Sequence, residues 1–202
     1  NSGIVDIAQP LLNRLAEVSG ELVRLSVVDG ERLTWVARAQ GARQGLRYDP
    51  DMGSDARLSC SSSGWALLST LSDDEALALV AKQGLGLPEQ FGPAAPTSLQ
   101  AVMAAVAQTR ERGYSMTTDT YSIGLSAMSA PVRFAGQAAF GVVTVAGPTV
   151  RFTPEKMQTL APELISITQQ LAASSGASPF FSLTAETGSA ASTDGRKPIY
   201  AV

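Results

Sequence analysis

Certain stretches carry residues whose types and spacing could do chemistry. Leu58-Ser59-Cys60-Ser61-Ser62-Ser63-Gly64 sets a thiol and a run of hydroxyls at the start of a helix pattern. Free amides at such a start can hold an anion or a carboxylate. The same residue types also cap a helix and let it pack tightly, and the sequence leaves both readings open. Arg38, Arg43, Arg47 and Arg57 fall close together and could offer a guanidinium to an acidic ligand. The alternative is that most of them face solvent or another subunit. Finally, Gly113-Tyr114 through Gly124, Ala130-Pro131-Val132 and Val143-Thr144-Val145-Ala146-Gly147-Pro148 form a loop, strand, strand array. Its glycines mark places where backbone comes close to something, or simply where hairpins turn.

Composition removes most enzymatic alternatives. The 202 residues include 15 Lys+Arg against 18 Asp+Glu (net charge −3), no histidine and a single cysteine, Cys60. Without histidine there is no Ser-His-Asp or Cys-His machinery, no His-ligated zinc and no imidazole pH switch. One cysteine permits neither an internal disulfide nor a thiolate metal cluster. There is no Gly-x-Ser-x-Gly elbow and no Gly-Lys-Ser/Thr phosphate loop, and Gly84-Leu85-Gly86 lacks the third glycine of a dinucleotide fingerprint. Asp73-Asp74-Glu75 lies in a first helical turn, where the helix dipole accounts for it. The remaining enzyme reading makes Cys60 a nucleophile or redox thiol with a pKa lowered at a helix N-terminus, but no general base can be named for it. No catalytic residue, metal or cofactor is therefore expected.

A pI near 5.0 with 16% charged residues does not suit a surface that grips phosphate backbones, so a DNA-reading part, if any, lies elsewhere. No stretch reaches the roughly 18 to 20 uninterrupted apolar residues of a membrane span. Asn1-Ser2-Gly3 has neither an initiator Met nor a secretory apolar region. The expectation is a cytoplasmic protein, cut from something longer or processed at its N-terminus.

The elements that must position these residues follow from periodicity. Ile4, Ile7, Ala8, Leu11, Leu12, Leu15 and Val18 form one helical stripe closed by Gly20. Alternating runs on either side of Asp29-Gly30 predict a β-hairpin whose dipeptide supplies positive φ angles. Residues 39 to 57 are polar and glycine-rich, with a short strand conceivable around Leu46. Helices are predicted from Ser62, from the Ser72-x-x-Glu75 capping box to about Gly84, and from Thr97 or Ser98 to Gly113, with a loop from Gly84 to Pro96. Tyr114–Met116, Ala127–Phe134 and Ala138–Val145 read as strands, the last two joined across Gly136. Thr153-Pro154 opens a final helix that Pro162 should kink or interrupt. From Ser174 onward the composition turns to Ser, Ala, Gly and Thr, which predicts a low-complexity tail over 176–202. This order gives an α+β fold with an antiparallel sheet, its first and last helices packed on one face.

Gly20-Glu21-Leu22-Val23-Arg24-Leu25-Ser26-Val27-Val28-Asp29-Gly30, the helix start with Gly64 and Ala66-Leu67-Leu68, Arg112-Gly113-Tyr114, Gly124, Ala130-Pro131-Val132 and Val145-Ala146-Gly147-Pro148 occur in that order. Together they resemble the effector-binding C-terminal domain of IclR-family bacterial transcription regulators, over about Ile4 to Ser175. The resemblance implies a GAF-like fold with a curved antiparallel sheet over residues 1–175. It also implies a small organic effector, homodimers or tetramers, and a winged helix-turn-helix DNA-binding domain upstream that this chain does not contain. Carried over by position, it lines the effector pocket with Leu58, Cys60, Ser61, Ser62, Asp119, Gly124, Leu125, Met128, Thr144 and Ala146. The sequence departs from the family where Cys60-Ser61-Ser62-Ser63 replaces an alanine-containing run, Trp65 replaces a basic residue, and Ala127 stands where cysteine is common. The acidic stretch before Gly124 shrinks to Asp119. Hydroxyls and Met128 in the pocket would suit an amphipathic molecule such as an organic acid.

Overall fold

The computed structural model describes residues 2–52 and 55–176. The proposed tail therefore lies almost wholly outside the described residues. The element order is α1 (Ser2–Ser19), β1 (Leu22–Asp29), β2 (Arg32–Gln40), α2 (Ser62–Leu68), α3 (Asp73–Gln83), α4 (Leu99–Arg112), β3 (Ser115–Thr118), β4 (Leu125–Val132), β5 (Gly141–Pro148) and α5 (Pro154–Gly176). All strands join one antiparallel sheet in the order β2-β1-β5-β4-β3. This is the expected α+β architecture.

The helical stripe of α1 and that of α5 meet over one face of the sheet. Leu12, Leu15, Leu164, Ile167 and Leu171 pack there against Val23, Leu25, Met128, Val143 and Val145 in one buried core. α1 stops as predicted, because Gly20 takes φ 67° and returns its N–H to the Ala16 carbonyl. On the second face, α2, α3 and α4 bury Leu67, Leu68, Ala76, Val80, Val102 and Val106 with Leu33, Trp35, Leu58 and Val142. The Ser72/Glu75 capping box opens α3, Ser98 rather than Thr97 caps α4, and Gly113 closes α4 in the left-handed region.

Several expectations need correction. The β1–β2 loop is Gly30-Glu31 rather than Asp29-Gly30: Asp29 pairs with Arg32, and only Gly30 takes a positive φ. No strand forms around Leu46, which is 66% exposed in a bend. α5 runs through Pro162 without interruption. The ring deprives the Gln158 carbonyl of its usual partner, but Gln158 is exposed, so water can serve that oxygen. The last three strands also sit one to three residues from their predicted limits.

One irregularity places a key ring. Leu25 faces Ala37, but the next residue, Ser26, faces Trp35, so Val36 is an extra residue in β2. A bulge of this kind re-aims side chains. It leaves Val36 and Ala37 on the α1/α5 core and swings Trp35 to the second face.

Candidate functional site

The second face of the sheet carries one polar row across its middle. Cross-strand pairing sets Arg38, Arg24, Thr144, Ser129 and Ser115 side by side on β2, β1, β5, β4 and β3. The hydroxyls of this row are connected: Ser129 Oγ lies 2.7 Å from Thr144 Oγ1 and 2.8 Å from Ser62 Oγ at the start of α2. Ser115 Oγ donates to the Ser62 carbonyl at 2.6 Å. The adjacent row is apolar, with Leu125, Ala127 and Ala146 packed under Tyr48 and Tyr121.

Two loops wall this face. Ser61 caps α2, its hydroxyl accepting from the Gly64 N–H and donating to the Arg57 carbonyl. The capping reading of this segment therefore holds, and the hydroxyl is already engaged. Gly64 is required, since a Cβ there would stand 2.4 Å from the Leu58 carbonyl oxygen. Trp65, in place of a basic residue, buries its ring and donates to the Ser59 carbonyl at 2.9 Å. Opposite lies the 119–124 loop. Thr120 donates to the Cys60 carbonyl at 2.7 Å, Asp119 takes φ 58°, and its carboxylate accepts the Gly124 N–H at 2.6 Å. Tyr121 meets Phe91 with ring centroids 5.4 Å apart, which ties the 84–96 loop to the same wall.

The structure thus brings Cys60, Ser61, Ser62, Leu125, Thr144 and Ala146 to the sheet face or its wall. Asp119 and exposed Gly124 shape the covering loop, while Leu58 supports the wall from within the α2–α4 core. Met128 is the exception. It pairs with Val145 and points to the α1/α5 core on the opposite face, because side chains alternate along β4 and its neighbours Ala127 and Ser129 take the site side. The expectation that Met128 shapes this face is corrected accordingly.

Cys60 is fully buried, with its sulfur against Gly86, and burial pushes the thiol pKa up to about 11. An activated nucleophile needs the opposite shift. Of the clustered arginines, Arg38 and Arg47 pair with Asp49 at 3.0 and 3.5 Å, and Arg57 donates to the Gln83 and Gly84 carbonyls. Arg43 instead lines an open groove of about 490 Å³ with Glu17, Gly20 and Arg151. A second open groove, of about 600 Å³, runs along Asp29, Arg57 and Lys82. Both are rimmed by charge and lie away from the aromatic-covered sheet face.

The residue that sequence reasoning missed is Arg24. It is 5% exposed, its guanidinium carbon lies 3.6 Å from the Trp35 ring centroid and 5.6 Å from that of Tyr48, and its Nε has no hydrogen-bond partner. Burial lowers its pKa, and Arg38 adds to the fall, while the phenolic oxygens of Tyr48 and Tyr121 oppose it. The signal lay in the β1 alternation, where Arg24 occupies the polar phase of a strand with neighbours on both sides. Among the described residues, no group of three or more His, Cys, Asp or Glu could hold a metal ion, and no helix is long and apolar enough to cross a membrane.

The model of the family described as bacterial transcriptional regulator IclR C-terminal matches residues 1–173. The HTH-type transcriptional regulator BhcR of Paracoccus denitrificans is 29% identical over 171 residues, covering 84% of this chain and 60% of BhcR. The HTH-type transcriptional repressor AllR of Escherichia coli K12 is 24% identical over 156 residues, covering 77% of this chain and 56% of AllR. The chain thus spans less than two thirds of these relatives. Among solved structures, the inducer-binding domain of the PobR transcription factor from Acinetobacter, a double mutant in complex with 3-hydroxybenzoic acid, superposes with a TM-score of 0.72. It is 23% identical, and the match covers 83% of this chain and 97% of that domain.

Proposed function

This chain belongs to the IclR family of bacterial transcriptional regulators, matching its C-terminal domain, and from that premise we propose that residues 1–175 bind a small organic effector and assemble as a homodimer or tetramer. A winged helix-turn-helix domain upstream reads the operator in the whole protein, which works in the cytoplasm. The observation that carries the reading is the convergence of a buried cation, linked hydroxyls and an aromatic-covered apolar row on the sheet face opposite α1 and α5. The site comprises Cys60, Ser61, Ser62, Asp119, Gly124, Leu125, Thr144 and Ala146, with Leu58 behind them.

Effector binding changes operator affinity only if the ligand prefers one assembly geometry over another. The 119–124 loop is suited to transmit that preference, because it covers the face and is fastened to the Cys60 segment by the Thr120 bond. The chain works as a sensor and not as an enzyme; the raised Cys60 thiol removes the one nucleophile that the sequence offered.

A thermal-shift screen of small organic molecules tests this reading, with hydroxybenzoates included because the PobR domain was solved with one. A ligand that binds only the folded state raises the midpoint with concentration. A flat response to every compound would sink the reading.

A further inference from the structure

We propose that Arg24 is the carboxylate anchor of this site, and that the ligand is a small monocarboxylic acid with a flat apolar body. The inference rests on the reading of the sheet face as the effector site, and it adds a residue and a ligand class to that reading.

A guanidinium that is 5% exposed would ordinarily meet a carboxylate inside the protein, since buried charges are paired. Among the described residues, Arg24 has none. Its cross-strand partners are Arg38 and Thr144, and Arg38 is itself a cation, engaged with Asp49 at 3.0 Å. What surrounds Arg24 instead are the Trp35 and Tyr48 rings, which attract a cation, and the Tyr48 hydroxyl, a neutral hydrogen-bond partner that leaves the charge unmatched. The unpaired Nε is the direct sign of that deficit. A planar carboxylate is the complement that fits a guanidinium fork.

The rest of the ligand follows from the rows of the sheet. Next to Arg24, Thr144 and Ser129 lie one and two strands away, so a ligand whose acid group meets Arg24 sets its body along β5 and β4. There Ala146, Ala127 and Leu125 pack with Tyr48 and Tyr121, so a body that parts the rings from the sheet meets apolar surface on both sides and is flat. A hydroxyl on that body falls within the reach of the Thr144–Ser129–Ser62 hydroxyls.

The experiment pairs each acid with its primary amide, which keeps shape and removes charge: benzoate and benzamide, salicylate and salicylamide, phenylacetate and phenylacetamide, hexanoate and hexanamide. Midpoints are measured for the unaltered chain and for Arg24→Met, and the affinity of any hit is then titrated. The expected result is that at least one aromatic acid raises the midpoint, its amide does not, and Arg24→Met lowers affinity for that acid by about 100-fold or more; a response to hexanoate alone overturns the flat body. Ligand-free Arg24→Met should melt at or above the unaltered chain, which an arginine serving only the fold would not allow. An amide that binds as well as its acid, or an Arg24→Met variant that keeps the acid response, overturns the anchor while leaving the effector reading intact. No response to either series overturns both. If Arg24→Met fails to fold, the anchoring role is refuted in favour of a structural one, and the acid-against-amide comparison still decides the ligand class.

Discussion

The Glu21–Arg151 pair offers the sharpest test of how this fold holds its site together. Glu21 follows Gly20 at the end of α1 and is fully buried, while Arg151 comes from the β5–α5 connection with its side chain 35% exposed. The contact is two-pronged, Nε to Oε1 at 2.6 Å and Nη2 to Oε2 at 2.9 Å, and the same Nη2 donates to the Leu46 carbonyl at 2.8 Å. Gly147 makes room for it, since a Cβ there would lie 2.4 Å from Glu21 Oε2. Arg151→Met removes both bonds and leaves a buried carboxylate alone, a change that costs about 3–5 kcal/mol where both partners are buried. Two features lower that figure here. The arginine is over a third exposed, so water screens part of the pair, and Lys156 Nζ stands 4.0 Å from the same carboxylate. We expect about 2–3 kcal/mol, which for a domain of this size is roughly 4–12 °C in midpoint. Urea unfolding of Arg151→Met, Glu21→Gln and the double variant measures it. The double variant should cost about 1–2 kcal/mol less than the sum of the singles, because the second change removes the charge that the first orphaned. Additive effects, or an Arg151→Met loss below about 0.5 kcal/mol, would refute the reasoning.

Two further outcomes follow from burial and close packing. Cys60 has its folded pKa raised to about 11 against an ordinary 9.0, so the thiol is protonated in both states below pH 9, and stability drains away as pH rises from about 9 to 11 because only the unfolded chain ionises there. The full loss is on the order of 3 kcal/mol; Cys60→Ala should flatten that alkaline limb in urea titrations, and an unchanged limb would show that other groups cause it. Gly92→Ala should destabilise by about 1–3 kcal/mol and weaken binding of any ligand found, since its Cβ would fall 2.0 Å from the Asp119 carbonyl oxygen and push the 119–124 loop aside. Gly3→Ala, where nothing lies within 4 Å, is the control, and equal melting of the two variants would contradict the packing argument.

The helices were the most legible part of the chain, for local reasons. A stripe such as Ala8, Leu12 and Leu15, a Ser72/Glu75 box or a glycine after Arg112 is a signal that neighbouring residues complete among themselves, although Val18, at the end of the stripe, is 58% exposed. Strand ends were less legible because a partner strand sets them. β4 begins at Leu125, ahead of its apolar run, since Leu125 finds Pro148 opposite, and β3 runs to Thr118 because Ser126 lies across from it. Pro162 misled for a related reason. The rule that proline breaks a helix assumes an unsatisfied carbonyl with no remedy, and an exposed Gln158 supplies one.

The proposed site was legible in its walls and in part of its floor, since Leu125, Thr144 and Ala146 lie on the sheet face as the family resemblance implied, whereas Met128 does not and Arg24 was not named. The run of small polar residues before Gly64 stands out locally, whereas Asp119 and Gly124 came from the family resemblance. Which side of β4 faces the site is a question of register, and a one-residue difference exchanges Met128 for Ala127 and Ser129. The buried arginine was passed over for a different reason. Clustering drew attention to Arg38, Arg43, Arg47 and Arg57, yet proximity in a polar loop is where ion pairs with nearby acids form, and Asp49 engages two of them. Arg24 stands alone in an alternating strand, where its type looks like an ordinary solvent-facing choice. That inference holds only for a strand with one wet face. β1 lies between β2 and β5, with α1 and α5 on one side and Trp35 and Tyr48 on the other, so its polar phase has no solvent to face. In a sheet covered on both sides, a charged residue in the alternating phase therefore marks the place where a ligand, rather than water, completes the structure.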